Sequence, residues 1–151
     1  MNNNYLIRNM FIITNKMRRY LDKKHQENEI FLGQARILKY IYEAGPAPLY
    51  QRNVEEAFSI RGGSVSALLH SLVSGGFLLR RPSASDKRKK ELALTKAGIK
   101  KAEQAINTIK EFEMQIENSL FGDEKEILEY ILYKINTLMD KMEEEEHERT
   151  I

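Results

Sequence analysis

The sequence predicts a mainly α-helical protein with one small β-hairpin, and three observations lead there. Apolar residues recur at steps of three and four over most of the 151 residues, the spacing that lines one face of a helix. One stretch, 77–94, breaks that rhythm with two short strand-like runs around the turn-forming Pro82-Ser83-Ala84-Ser85-Asp86. The strong breakers are few and fall between periodic segments, at Gly45-Pro46-Ala47-Pro48, Gly75-Gly76 and Gly122. A hydrophobic content of 42% is enough to build a core, and the length suits a single domain with helical extensions.

Residues 3–25 read as a helix, with Leu6, Met10, Ile13, Met17 and Leu21 on a stripe that Ile7 and Phe11 widen. Residues 33–44 form a second, with Ala35, Leu38, Ile41 and Tyr42 as its buried side; the prolines close it, since proline cannot continue a helix. Two short helices follow, 50–57 and 62–74, joined by Phe58-Ser59-Ile60-Arg61. The second carries Val65, Leu68, Leu69 and Leu72 on one face and stops at Gly75-Gly76. Phe77 to Arg81 reads as a strand and Lys90 to Leu94 as its return. Thr95 stands where an N-cap belongs, before a long helix whose stripe of Ala102, Ala105, Ile109, Phe112, Ile116 and Leu120 runs to Phe121. Gly122 breaks that helix and Asp123 caps a last one. There Ile127, Leu128, Ile131, Leu132, Ile135, Leu138, Met139 and Met142 form a broad apolar face ahead of the acidic run Glu143 to Glu146.

Composition removes several functions. With no cysteine there is no disulfide, thiol nucleophile or cysteine-ligated zinc. His25, His70 and His147 are too scattered for a metal motif, and there is no close His–acid constellation or glycine-rich phosphate loop. The chain is therefore not read as an enzyme, and neither a metal nor a cofactor is expected. Arg8 and Asn9 interrupt the apolar N-terminus, and Arg18, Arg19, Lys23 and Lys24 follow it rather than precede it, unlike a secretory signal. No run nears the roughly 18 apolar residues of a membrane span, so a cytoplasmic location with no membrane partner is expected.

The net charge of +2 conceals a segregation. Residues 1–60 carry +3, residues 61–101 carry +8 from ten bases and two acids, and residues 102–151 carry −9. A basic block of that density attracts polyanions. It coincides with a helix, a turn, a second helix and a hairpin. In a helix-turn-helix the second helix lies in the major groove, so Ser64 and Ser66, near its N-terminal end, are candidates for base or phosphate contact; helix capping is the plain alternative. Lys87, Arg88, Lys89 and Lys90 at the hairpin tip are placed to reach an adjacent minor groove, or to supply sequence-independent phosphate attraction.

Three pieces in order carry a family resemblance: Ser64-Val65-Ser66 with Leu72 and Gly76-Phe77-Leu78-Leu79-Arg80-Arg81, then Ser85-Asp86-Lys87-Arg88, then Leu94-Thr95-Lys96-Ala97-Gly98. On these, the span Gly33 to Gly98 resembles the winged helix-turn-helix core of the MarR family of bacterial transcriptional regulators. The resemblance implies that Arg88 enters the minor groove with Asp86 holding it by a salt bridge, and that Ser64 and Ser66 face the major groove. It also sets Gln51 near a phosphate. The DNA-binding candidates are thus Gln51, Arg61, Ser64, Ser66, Ala67, His70, Arg81, Lys87, Arg88 and Lys89. Three places depart from the family pattern: His70-Ser71 where many members carry Asp-Arg, Gly62-Gly63 opening the helix, and Ser59 at the usual turn glycine.

The long helices have apolar faces broader than a winged helix alone covers, which marks an interface. With the family resemblance and the two-fold symmetry of palindromic operators, they imply a homodimer. The chain is then one domain, 1–151, with a DNA-binding lobe at 33–98 and a helical dimerisation region at 1–32 and 99–151. A small apolar or aromatic effector would lie where the dimer helices meet the lobe, beside Phe11, Tyr20, Phe31 and Tyr40; core packing explains the same four residues. The resulting expectation is a repressor bound to duplex DNA. A winged-helix module that binds only protein is the rival reading, because that fold does both.

Overall fold

The structure, a computed structural model, describes residues 5–149, so the helix start expected at residue 3 lies outside the described residues. In chain order the elements are α1 (Tyr5–Gln26), α2 (Leu32–Glu43), β1 (Leu49–Tyr50), α3 (Gln51–Phe58), α4 (Gly62–Ser74), β2 (Leu78–Pro82), β3 (Lys90–Leu94), α5 (Lys96–Glu117) and α6 (Glu124–Arg149). By contacts the chain divides into two compact units, Met1–Lys110 and Glu111–Ile151.

The first unit holds the core. Ala35, Ile37, Leu38 and Ile41 of α2 pack with Val54 of α3, Val65, Leu69 and Leu72 of α4, and Ala102 and Ala105 of α5. Leu49, Leu78 and Leu92 close the core from the sheet, and Ile30 from the α1–α2 link. The sheet is antiparallel in the order β1-β3-β2, with Leu78 opposite Leu94, Arg80 opposite Leu92 and Pro82 opposite Lys90. Beyond Leu78 every residue of β2 is exposed, because the hairpin there leaves the core and projects into solvent.

Sequence and structure differ in four places. A third strand, β1, pairs Leu49 with Leu92 and Tyr50 with Glu91; two residues behind a proline are too few to show any alternation. In α2 Ile37 is buried and Tyr42 exposed, its hydroxyl 3.3 Å from Glu103 Oε1. This helix packs on α1, α4 and β3, so no single stripe describes what it buries. α5 ends at Glu117 rather than Phe121, and the Ser119 hydroxyl turns back to the Ile116 carbonyl. At the start of α6 the Glu124 carboxylate accepts the Phe121 N–H at 2.7 Å, and Asp123 contributes its backbone carbonyl to Ile127.

The second unit consists of the end of α5 and α6, joined by a Lys125–Glu117 ion pair at 2.6 Å. From Glu124 to Glu148 the side chains of α6 are exposed apart from a half-buried Ile135, and the exposed set includes Ile127, Ile131, Leu132, Leu138, Met139 and Met142. In the first unit α1 exposes Leu6, Ile7, Phe11 and Ile13 in the same manner. Apolar faces of this extent, left open to water, are the surfaces that association covers. Among the described residues no helix is long and apolar enough to cross a membrane.

Candidate nucleic-acid interface

The helix-turn-helix is assembled by backbone geometry at three residues. Tyr50 is the extended N-cap of α3, and its N–H donates to the Asn53 side-chain oxygen at 2.9 Å. Ser59 ends α3 in the left-handed conformation, φ 48°, the role glycine usually takes. Arg61, again extended, is the N-cap of α4 and makes no side-chain cap. Ser64 therefore lies three residues past the N-cap, its N–H bonded to the Arg61 carbonyl, and Ser66 lies deeper still. Capping does not account for either serine.

With Val65, Leu69 and Leu72 turned inward, α4 presents Gly63, Ser64, Ala67, His70 and Ser74 outward, while Ser66 is half-buried at the margin. Arg61 is exposed beside this stripe. Gln51 is engaged within the protein. It donates to Glu55 Oε1 at 2.8 Å and to the Gly62 carbonyl at 3.5 Å, and accepts from Arg80 Nη2 at 3.0 Å. The side chain thereby links β2 to the start of α4.

The wing loop, 83–89, is closed by the Ser83 N–H on the Lys89 carbonyl at 3.0 Å and the Lys89 N–H on the Asp86 carbonyl at 2.9 Å. Asp86 clasps Arg88: Oδ1 accepts the Arg88 backbone N–H at 3.0 Å and its Nε at 3.2 Å, and Oδ2 accepts Nη2 at 3.4 Å. These bonds hold the Asp86 carboxyl below its ordinary pKa, the guanidinium contributing most and the backbone N–H next. The Arg88 side chain stays 92% exposed, so its charge is oriented without being withdrawn from solvent. Arg81, Lys87, Lys89 and Lys90 are exposed on the same hairpin. The arrangement offers a polar, shallow helix face beside an arm with a preset cation, which suits a groove-bearing polyanion.

The four residues expected beside an effector have differing surroundings. Phe11 is 68% and Phe31 63% exposed, and Tyr20 lies on the outer surface of α1. Tyr40 sets its ring edge-on to Phe58, centroids 5.5 Å apart, and its hydroxyl donates to the Asn53 carbonyl at 3.4 Å. A cavity of about 340 Å³ in the first unit is lined by Glu27, Asn28, Glu29, Phe77, Ala97, Lys100, Lys101 and Gln104, and by none of those four. Among the described residues no group of His, Asp or Glu is gathered to hold a metal. Tyr50, Arg80 and Ser83 also belong to this region and no local pattern marks them, because Tyr50 meets Ser83 across 33 residues and Arg80 meets Gln51 across 29.

A family model described as the MarR family matches residues 31–89, which span α2 to the wing. Solved structures share the fold over most of the chain. The Staphylococcus aureus MepR–DNA complex superposes with a TM-score of 0.81 at 28% identity, covering 91% of this chain and 98% of that one. A mutant MarR from E. coli complexed with operator DNA gives 0.76 at 27% identity, covering 86% and 92%. The transcription regulator MarR from Oenococcus oeni gives 0.74 at 26% identity, covering 87% and 98%. Comparison with curated proteins gave no match.

Proposed function

This chain belongs to the MarR family, and from that premise we propose that it is a cytoplasmic bacterial repressor that binds a pseudo-palindromic duplex DNA site as a homodimer. It is a DNA-binding transcription regulator, as are the family structures it resembles. The observation that carries the reading is the Asp86–Arg88 clasp on a basic wing beside the outward face of α4. Residues 33–98 form the DNA-binding lobe, and 1–32 with 99–151 the dimerisation region, using the exposed apolar faces of α1 and α6. In the dimer two copies of α4 enter successive major grooves about 10 bp apart, through Ser64, Ser66, Ala67 and His70, with Arg61 at the backbone. Each wing places Arg88 in the flanking minor groove, while Arg81, Lys87 and Lys89 attract phosphates. Gln51 serves from within, steadying the start of α4.

A small apolar or aromatic effector lowers the affinity by binding the DNA-competent arrangement less well than another; its differential affinity sets the limit of the effect. Phe11, Tyr20, Phe31 and Tyr40 remain the residues proposed for it.

The test is selection of bound duplexes from a random pool, followed by Arg88→Ala on the selected site. The expected result is at least about a tenfold loss of affinity with the dimeric mass unchanged in light scattering. An Arg88→Ala variant that binds like wild type overturns the wing assignment, and a monomeric mass at micromolar concentration overturns the dimer. Absence of salt-dependent duplex binding returns the protein-only module.

A further inference from the structure

We propose that Tyr50 is a positioning residue for DNA recognition, holding the wing loop in a fixed place relative to α4 through the buried hydroxyl of Ser83. The proposal rests on the DNA-binding reading above. Ser83 is only 2% exposed, in a loop whose neighbours 84–89 are open to solvent or half-buried. A buried hydroxyl needs partners, and Ser83 Oγ has three: Tyr50 OH at 3.0 Å, Ser85 Oγ at 3.0 Å and the Ser85 N–H at 3.3 Å. Lys89, on the other limb of the loop, sets its ammonium 5.7 Å from the centre of the Tyr50 ring.

The division of labour among these contacts gives them meaning. The last sheet pair is Pro82 with Lys90, so ladder bonds stop short of the loop. The bonds from Ser83 to Lys89, from Lys89 to Asp86 and from Arg88 to Asp86 shape the loop but do not tie it to the body. Among the described contacts, both limbs meet the body at Tyr50. That residue pairs with Glu91 in the sheet and is also the N-cap of α3, whose Val54 packs in one core with Val65 of α4. The Gln51–Arg80 bond already ties β2 to the helix-turn-helix, but farther out it is the Tyr50 side chain that joins the helix-turn-helix to the loop bearing Arg88, and its rigid ring transmits position where a flexible side chain would not.

The experiment is Tyr50→Phe, which removes one oxygen and keeps the ring, read against a specific and a non-specific duplex and in a cycle with Arg88→Ala. Specific affinity should fall about three- to tenfold, the range for losing one such hydrogen bond. Non-specific affinity, which follows charge, should be unchanged. In the Arg88→Ala background Tyr50→Phe should cost nothing more, because there is no guanidinium left to position. Ser83→Ala, which cuts the same bond together with the two to Ser85, should lower specific affinity at least as much with non-specific affinity unchanged, and Tyr50→Phe should add nothing in that background. An unchanged specific affinity, an equal loss on both duplexes, or additivity with Arg88→Ala would each overturn the proposal. Wild-type protein without duplex binding fails at an earlier step and takes the functional reading with it, so the two failures are told apart.

Discussion

A Cβ atom added to Gly98 would lie 1.9 Å from the carbonyl oxygen of Phe77. That carbonyl accepts the Thr95 N–H at 3.1 Å, while the Thr95 hydroxyl donates to the Gly76 carbonyl at 2.7 Å and accepts the Gly98 N–H at 3.0 Å. The Leu-Thr-x-x-Gly motif is therefore a joint: Thr95 caps α5 and pins it to the entry of β2, and glycine lets the backbones touch. Helix propensity alone favours alanine over glycine by about 1 kcal/mol. At Gly98 the overlap is with backbone, which cannot swing aside, and overpacking of that kind costs about 3 kcal/mol. Gly98→Ala should destabilise by about 2 kcal/mol net. Gly63→Ala, where nothing lies within 4 Å, should stabilise by about 0.5–1 kcal/mol. Denaturant melts of the two variants check both signs; a Gly98→Ala variant as stable as wild type would remove the joint.

Ser59 adopts φ 48° at the end of α3, a conformation that costs an L-residue about 1–2 kcal/mol. Ser59→Gly relieves the strain and returns part of the gain as unfolded-chain entropy. A net gain of about 0.5–1 kcal/mol is expected, seen as a higher thermal midpoint. A lower midpoint would mean that the serine side chain contributes something its backbone geometry does not reveal.

Asp86→Asn opposes two effects. It removes a negative charge near DNA, which favours phosphate contact everywhere, and it weakens the clasp that orients Arg88. Non-specific affinity should therefore hold or rise while the ratio of specific to non-specific affinity falls. Because the native carboxyl titrates below its ordinary value of 3.8, the clasp's contribution is complete above that pH and is lost as pH falls further. Paired titrations of the two duplexes decide it: an unchanged ratio would show that Arg88 orients itself.

His25 is 0% exposed at the end of α1, and among the described residues neither ring nitrogen has a hydrogen-bond partner. Burial pushes its pKa below the ordinary 6.5, and the Asp22 carboxylate only partly opposes this. Below 6.5 the unfolded chain therefore binds more protons than the folded one, so stability is full above 6.5 and declines as pH falls through and below it. The slope from one proton is at most about 1.4 kcal/mol per pH unit. Melts between pH 7.5 and 5.5 should show the decline, and His25→Leu should flatten it. An equally steep decline in that variant would assign it to other groups.

How much was legible follows from how far apart partners sit. Helix faces, the glycine stops and the clustering of charge are properties of neighbouring residues, and they predict α1, α4, β3 and the basic wing with little displacement. The Asp86–Arg88 clasp, implied by the family resemblance rather than by periodicity or composition, joins partners only two residues apart. Gln51 shows the boundary. Its place at the head of α3 was readable, but its bond to Arg80, across 29 residues, was not.

By itself, then, the sequence determined a helical chain with one wing, a positive middle and apolar terminal helices, because periodicity and composition are written in local order. Only the tertiary structure decided that Leu49 and Tyr50 form a strand, that Gly98 must meet Phe77, and that Tyr50 reaches Ser83 across 33 residues. Those choices depend on the chain closing on itself, where packing brings together side chains that share no pattern along the sequence.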